Sequence, residues 1–413
     1  MNSTHSGVQP ERSRLAPISQ QSLDAKLGFT WPAPESRKRC QRCVYDEATP
    51  AITFDENGIC NYCKVHDEFE REYPTGEEGE RRLREIADKI KIAGRGKKYD
   101  CIIGVSGGCD SSYMLVKAKE LGLRPLAAHF DNTWNSAIAT ENIRRMLKPL
   151  EIDLFTIVVN NREYDDLYAS FFRSGVTDLE IPTDIGLAAT LYQAAEKYGI
   201  QYVLEGHSFR TEGIAPLGWT YMDGKYIQSV HAQFGTQPLK TYPNMLFFDF
   251  MKWTVFRRIR KIRPLYYIDY HKENAKKMLA EKYGWQWYGG HHLENRFTAF
   301  YHSFYLPRRN GSDTRLLGFA AMVRSGQMTR EEGIEQIRKA PEFDIELVEL
   351  VKKRLKFSDE EFIRLMKAPV KSYRDYKTYK PLFERLRPFF WMLYRLDLVP
   401  KSFYQKYTSK SEV

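Results

Sequence analysis

No apolar run in this 413-residue chain approaches the ~18 residues that a membrane-spanning helix needs. The nearest candidate, residues 244–256, is broken by Asp249 and Lys252. The first 36 residues have no apolar h-region, so they do not read as a signal peptide, and their Ser, Gln and Pro content predicts a disordered tail. Cysteine is scarce, six in all. Without a secretory segment that number argues against a disulfide framework and leaves each thiol to be a metal ligand, a nucleophile or core filling. Collagen, coiled coil and wholesale disorder are excluded by 42% apolar and 14% aromatic residues. What is present is a globular chain with 63 basic and 53 acidic residues, a formal charge of +10, long enough for about two or three domains and expected in the cytoplasm.

Four of the cysteines fall as Cys40-x-x-Cys43 and Cys60-x-x-Cys63, with sixteen residues between the pairs. Each C-x-x-C turn aims two thiolates at one ion, and two turns complete the tetrahedral S4 shell that zinc prefers. The stretch between them, Ile52-Thr-Phe54 and Ile59-Cys60 around Asn57-Gly58, predicts a hairpin that brings the knuckles together. A closed structural zinc site is expected, with an iron–sulfur cluster as the rival use of four thiolates.

A charged helical segment over 77–92 precedes an apolar strand at 99–105. Ser106-Gly107-Gly108-Cys109-Asp110-Ser111 follows at once, opening an amphipathic helix that runs to Leu121-Gly122. Two glycines let the backbone approach an anion, the helix N-terminus aims N–H groups at it, and Ser106 and Ser111 add hydroxyls. A carboxylate beside a polyphosphate is repulsive unless a cation sits between them, so Asp110 implies Mg²⁺. The loop has no Walker Lys and is not G-x-G-x-x-G, which argues against P-loop NTPases and dinucleotide folds. Further strands at 125–130, 154–159 and 201–204 alternate with helical patterns. An open parallel α/β sheet is expected, with Ser106, Asp131, Gly206 and His207 at the carboxyl rim where ligands bind. Asp184 reads as a helix N-cap or a rim group. Cys101 reads as core.

The Ser-Gly-Gly-x-Asp-Ser loop resembles the pyrophosphate loop of the PP-loop ATP pyrophosphatase superfamily (adenine nucleotide alpha hydrolase-like). From Arg39 onward the chain resembles one branch, the N-acetyl sugar amidotransferases of bacterial surface-polysaccharide and O-antigen synthesis. The matching segments include Cys40-x-Arg-Cys-Val44, Gly58-x-Cys-Asn-Tyr-Cys63, Ile181-Pro-Thr-Asp184, Thr211-Glu-Gly213, Leu239-Lys-Thr241, Ile262-Arg-Pro-Leu265 and Gly289-Gly-His-His-x-Glu-Asn-Arg296. The resemblance implies that ATP adenylates an acetamido oxygen and that ammonia, supplied by a separate glutaminase subunit and its synthase-like companion, displaces AMP to give an acetamidino sugar. It implies ATP contacts from Ser106, Gly107, Gly108, Asp110, Ser111, Ser112, Asp131, Gly206 and Arg263, with Mg²⁺ on Asp110. Asp110, Ser111, Glu212, His207 and His231 are the catalytic candidates, the histidines because imidazole titrates near neutrality. No glutaminase nucleophile is present in the sequence.

These readings divide the chain into a disordered tail (1–36), a four-Cys zinc module (37–66), a helical linker (67–98), a PP-loop ATP-binding domain (99–245) and a mostly helical C-terminal region completing the active site (246–413). Lys252, Arg257, Arg258, Arg260, Lys261 and Arg263 form a basic stretch without an acid among them. It suits an anionic bilayer, a nucleic acid or a solvated helix face, and the family resemblance at residues 262–265 implies a further use in which Arg263 approaches the ATP phosphates or an anionic sugar. The aromatic run 388–394 suits core or a docking surface. The sugar is expected to be nucleotide-linked, with peripheral membrane contact a further use and no nucleic-acid partner. A PP-loop tRNA thiolase or lysidine-type ligase is the alternative function.

Overall fold

The computed structural model describes residues 19–31, 37–216, 220–289, 293–396 and 398–409. Residues 1–18 and 32–36 of the expected tail lie outside these, as do Gly290, His291 and His292 of the 289–296 motif. Within the expected tail, α1 (Gln20–Leu27) is a helix and not disordered. The Ser19 hydroxyl caps it, Gly28 closes it at φ 67°, Leu23 is buried, and Asp24 pairs with Arg308 at 2.6 Å. A short helix with one apolar anchor is marginal alone and is held by that tertiary contact.

Next come α2 (Asn61–Glu72), which already carries Cys63, and α3 (Gly76–Ala93). The α/β unit is β1 (Cys101–Gly104), α4 (Cys109–Glu120), β2 (Pro125–Asp131), α5 (Ala137–Leu150), β3 (Leu154–Val158), α6 (Asn161–Ser174), α7 (Ile181–Lys197) and β4 (Tyr202–Leu204). After α8 (Gly224–Phe234) and α9 (Phe247–Met251) the chain returns as β5 (Arg260–Ile262). Among the described residues the strands form one all-parallel, five-stranded sheet in the order β3-β2-β1-β4-β5. β5 corrects two expectations. The basic stretch ends in a strand, and the sheet extends beyond residue 245, because Tyr202 to Leu204 pair in register with Arg260 to Ile262. The alternation Arg260-Lys261-Ile262-Arg263 hides this strand from an apolar reading.

The period-two alternation of β1 sends Cys101 and Ile103 to one face, under α4, α5 and α10 (Lys272–Tyr283), and Ile102 to the other, under α7. Cys101 is fully buried, as expected of core. The sheet grows from β1 toward β2 and β3 on one side and toward β4 and β5 on the other. The topological switch point, where such sheets bind ligands, therefore lies between the carboxyl ends of β1 and β4.

The C-terminal region is helical: α11 (Arg296–Phe300), α12 (Leu306–Asn310), α13 (Arg315–Arg324), α14 (Arg330–Arg338), α15 (Ile345–Leu355), α16 (Asp359–Lys367), α17 (Lys380–Arg385), α18 (Arg387–Arg395) and α19 (Lys401–Thr408). The Thr329–Glu332 capping box expected for α14 is present. α11, α15 and α16 share an aromatic core with α6, while α13 and α14 pack on the cysteine module. α17 to α19 enclose a small separate core with α9. Residues 388–394 are thus partly core, through Phe390 and Leu393, and partly exposed.

Arg354 of α15 ties this region to the sheet. It forks onto Asp165 at 2.7 and 3.0 Å, donates to the Thr133 carbonyl at 2.7 Å, and stacks 3.7 Å over the Trp134 ring. Truncation would strand the half-buried Asp165 and uncover Trp134. Arg354→Ala is expected to lower the unfolding free energy by about 2–4 kcal/mol, read from the urea midpoint.

Candidate functional site

The loop after β1 is shaped by its glycines. Gly107 has φ +81°, and a Cβ there would stand 2.2 Å from the Ala139 carbonyl oxygen, so the position admits no side chain. Gly108 caps α4, and a Cβ on it would meet Ser106 Oγ, Glu294 Oε1 and Tyr288 Oη at 3.0–3.2 Å. A Cβ at Gly206, beyond β4, would lie 3.1 Å from the Asp110 carbonyl, so the β4 loop abuts the start of α4. Helix α4 thus begins at the switch point, its first-turn amides beside the loop, as an anion site requires. Ser111 Oγ donates to the Gly108 carbonyl at 3.2 Å, and Ser112 is buried beneath.

Asp110 has two partners that sequence reasoning missed. Lys272 Nζ sits 2.9 Å from Oδ2, and Tyr270 Oη donates to Oδ1. Burial opposes the charge of Lys272, but Asp110 and Glu212 outweigh it and hold the ammonium above its ordinary pKa. The same pairing raises the Tyr270 phenol, through burial and Asp110. Glu294 belongs to the 289–296 motif, which by itself gives it no role. It accepts from Ser106 Oγ at 3.1 Å, while the Ser136 N–H bonds its carbonyl and Asn135 bridges to Asn295. Asp110 and Glu294 both act on Tyr288, whose phenol burial and Glu294 raise. Lys272 already compensates Asp110, so charge repulsion at Asp110 does not by itself require a divalent cation. Two carboxylates beside the glycine loop still fit Mg²⁺, which takes one or two carboxylates plus phosphate oxygens.

Around β4, His207 Nδ1 lies 3.1 Å from Tyr266 Oη and its Nε2 3.7 Å from Glu212. Arg263 bonds Glu205 at 3.1 Å and stacks on Tyr266. Burial pushes the Glu205 carboxyl up, but Lys261 and Arg263 overcome it and hold the pKa at about 2. Asp110, Lys272, Glu212, His207 and Arg263 thus form one cluster. Asp131, at the end of β2, accepts from the Thr133 N–H at 2.8 Å and from Asn135 at 3.3 Å, shaping the rim loop.

Two candidates stand differently. His231 pairs with Asp166 at 3.2 Å, and Asp166 also accepts from the Thr236 N–H and hydroxyl and from the Gln237 N–H. That carboxylate anchors the 236–237 segment, and His231 belongs to the anchor, away from the loop cluster. Asp184 is not the cap of α7, which begins at Ile181 behind Glu180. Its helix runs antiparallel to β4, so buried Glu180 and Asp178 lie at the rim edge with the exposed Asp184 beside them. Asn295 donates to Asn132, Asn132 to Tyr168, and Tyr168 and Thr298 to Glu180. Burial, then Asp184, pushes the Glu180 carboxyl up to about 8. An acid with a raised folded pKa takes up a proton on folding. Its stability contribution is full below its ordinary 4.5 and declines as pH rises toward 8. Glu180→Gln should flatten the pH dependence of the urea midpoint across that interval.

The four thiols converge. Cys40, Cys43, Cys60 and Cys63 are buried, unbridged, and within 4.8 Å of one another. Three of the Sγ separations, 3.6–3.8 Å, match the roughly 3.8 Å edge of a tetrahedron with ~2.3 Å metal–sulfur bonds. That spacing suits a single ion and not a multi-iron cluster, which spreads its thiolates wider. Arg324 of α13, buried against Tyr45, donates to Cys43 and Cys63 at 3.2 and 3.4 Å, an opposite charge for an anionic S4 centre. Arg324→Met is expected to weaken zinc retention about 10–100-fold in a chelator competition assay.

Residues 294–389 match the family model described as "LPS biosynthesis protein WbpG-like, C-terminal domain". That match fits the N-acetyl sugar amidotransferase resemblance. It begins at Glu294, the residue that bonds Ser106. The chain is also 28% identical over 171 residues to the uncharacterized protein MJ1599 of Methanocaldococcus jannaschii, a span of 41% of this chain and 58% of that protein. The structure of NMN synthetase from Francisella tularensis aligns with 71% of this chain and 97% of its own at 13% identity and a TM-score of 0.30, a likeness that says nothing of activity. No described helix is long and apolar enough to cross a membrane.

Proposed function

We propose that the chain is the amidating subunit of an N-acetyl sugar amidotransferase in lipopolysaccharide or related surface-glycan synthesis, working in the cytoplasm. The Ser106–Glu294 contact carries this reading, because it joins the Ser-Gly-Gly-x-Asp-Ser loop to the first residue of the WbpG-like match. An amide carbonyl is a poor electrophile. Its oxygen attacks the α-phosphorus of ATP and expels pyrophosphate, ammonia adds to the activated carbon, and AMP leaves with the original oxygen.

The loop amides, Ser106, Ser111 and Lys272 hold the departing pyrophosphate, and Arg263 is the second cation of the cluster. Bound Mg²⁺, held by Asp110 with Glu294 at hand, would neutralise phosphate charge. Glu212, backed by His207, orients ammonia and takes its proton. The cysteine module holds structural zinc. Ammonia comes from a separate glutaminase and its synthase-like companion, and the sugar arrives nucleotide-linked.

The test is pyrophosphate release from Mg-ATP with ammonium chloride against a panel of N-acetylated nucleotide sugars, with bulk tRNA as control. One sugar should drive release and return with its acetamido oxygen replaced by NH. Lys272→Met is expected to lower kcat/KM about 10²–10³-fold and Glu212→Gln about 10²-fold. Release that depends on tRNA alone would overturn the reading.

A further inference from the structure

The small core of α9 and α17 to α19 exposes apolar side chains on its outer surface. From α9 into the turn of helix that follows, Phe247, Phe250 and Met251 face inward. Phe248 and Phe256, eight residues apart on the opposite side, are 82% and 80% exposed. On α18, Phe390 and Leu393 are buried, while Trp391, Met392 and Leu396 are 50%, 45% and 57% exposed. Surface helices ordinarily turn polar residues outward. Here the outward residues are aromatic, aliphatic and arginine, because Arg387 and Arg395 share the exposed side of α18.

Charge identifies what this surface meets. Glu196 pairs with Lys252 and Arg257, and Glu205 with Lys261 and Arg263. Among the described residues no carboxylate pairs with Arg258, Arg387 or Arg395. Arg387 bonds the Tyr404 hydroxyl, and Arg395 lies over the Trp391 ring. Rings with four-fifths of their area in water stand proud of their surroundings. Protruding rings among uncompensated arginines suit insertion between anionic headgroups, where apolar area and charge both contribute.

We infer that the protein docks on an anionic phospholipid bilayer through the exposed rings Phe248 and Phe256 and the exposed side of α18. The contact is peripheral, and it is independent of the reaction assigned to the loop.

The test uses the full chain in sedimentation with vesicles of phosphatidylcholine alone or with about a third phosphatidylglycerol. Binding is expected only with the anionic lipid and should weaken about tenfold or more at ~0.5 M salt. Phe248→Ser with Phe256→Ser, and separately Arg258→Glu with Arg395→Glu, should each lower partitioning about tenfold or more with an unchanged melting temperature. Val370→Ser, an exposed apolar residue elsewhere, should leave partitioning unchanged. The inference is overturned if anionic vesicles do not bind the protein or if the two double variants bind as wild type. It is equally overturned if those variants instead dissociate a dimer, which would give the surface to a second copy, or release co-purified RNA. Because the readout involves no turnover, failure of the amidotransferase reading would leave the result intact.

Discussion

The carboxylate of Asp110 stands in the first turn of α4, where the helix dipole favours negative charge, and Lys272 and Tyr270 reach it from beyond β5. That pairing requires the chain to travel about 160 residues around the sheet and return to its first loop. β5 makes the return possible, because its register with β4 delivers the segment after it to the switch point. A glycine loop without a lysine of its own thus acquires one from a remote segment. Glu294 closes the loop from a second direction through Ser106, and the docking of residues 294–296 on 134–136 extends the same closure to the rim of β2.

The remaining long-range ties are also arginines or carboxylates reaching between units. Arg324 joins the C-terminal helices to the cysteines, Arg354 joins them to Trp134 and Asp165, and Arg210 bridges Glu70 of α2 to the carbonyls of Tyr266 and Tyr73. Each is largely shielded from water, so each is costly to leave unpaired and narrows the arrangements the units can adopt. The glycine loop, rim acids and cysteine module therefore hold a mutual placement that none could keep alone.

Several features were legible because local chemistry dictates them. The thiol spacing, the glycine loop between an apolar strand and an amphipathic helix, the buried Cys101, the cap at Thr329 and the strand at 125–130 each follow from residues within a few positions of one another. The fifth strand was not legible, because it is charged, short and stabilised by pairing with β4 rather than by its own propensity. The helix in the expected tail escaped for a related reason, since its anchor Arg308 is distant in sequence. His231 is a candidate on imidazole chemistry alone, and tertiary packing pairs it with Asp166.

By itself the sequence determined the parallel α/β class, the four-thiol centre and the glycine loop, because backbone sterics, hydrophobic period and ligand spacing act locally. Only the tertiary structure decided which charges meet: Lys272 with Asp110, Glu294 with Ser106, Arg324 with the thiols and Glu180 with its acidic neighbours. Such pairings depend on through-space distance and on the exclusion of water, and neither is written in residue order.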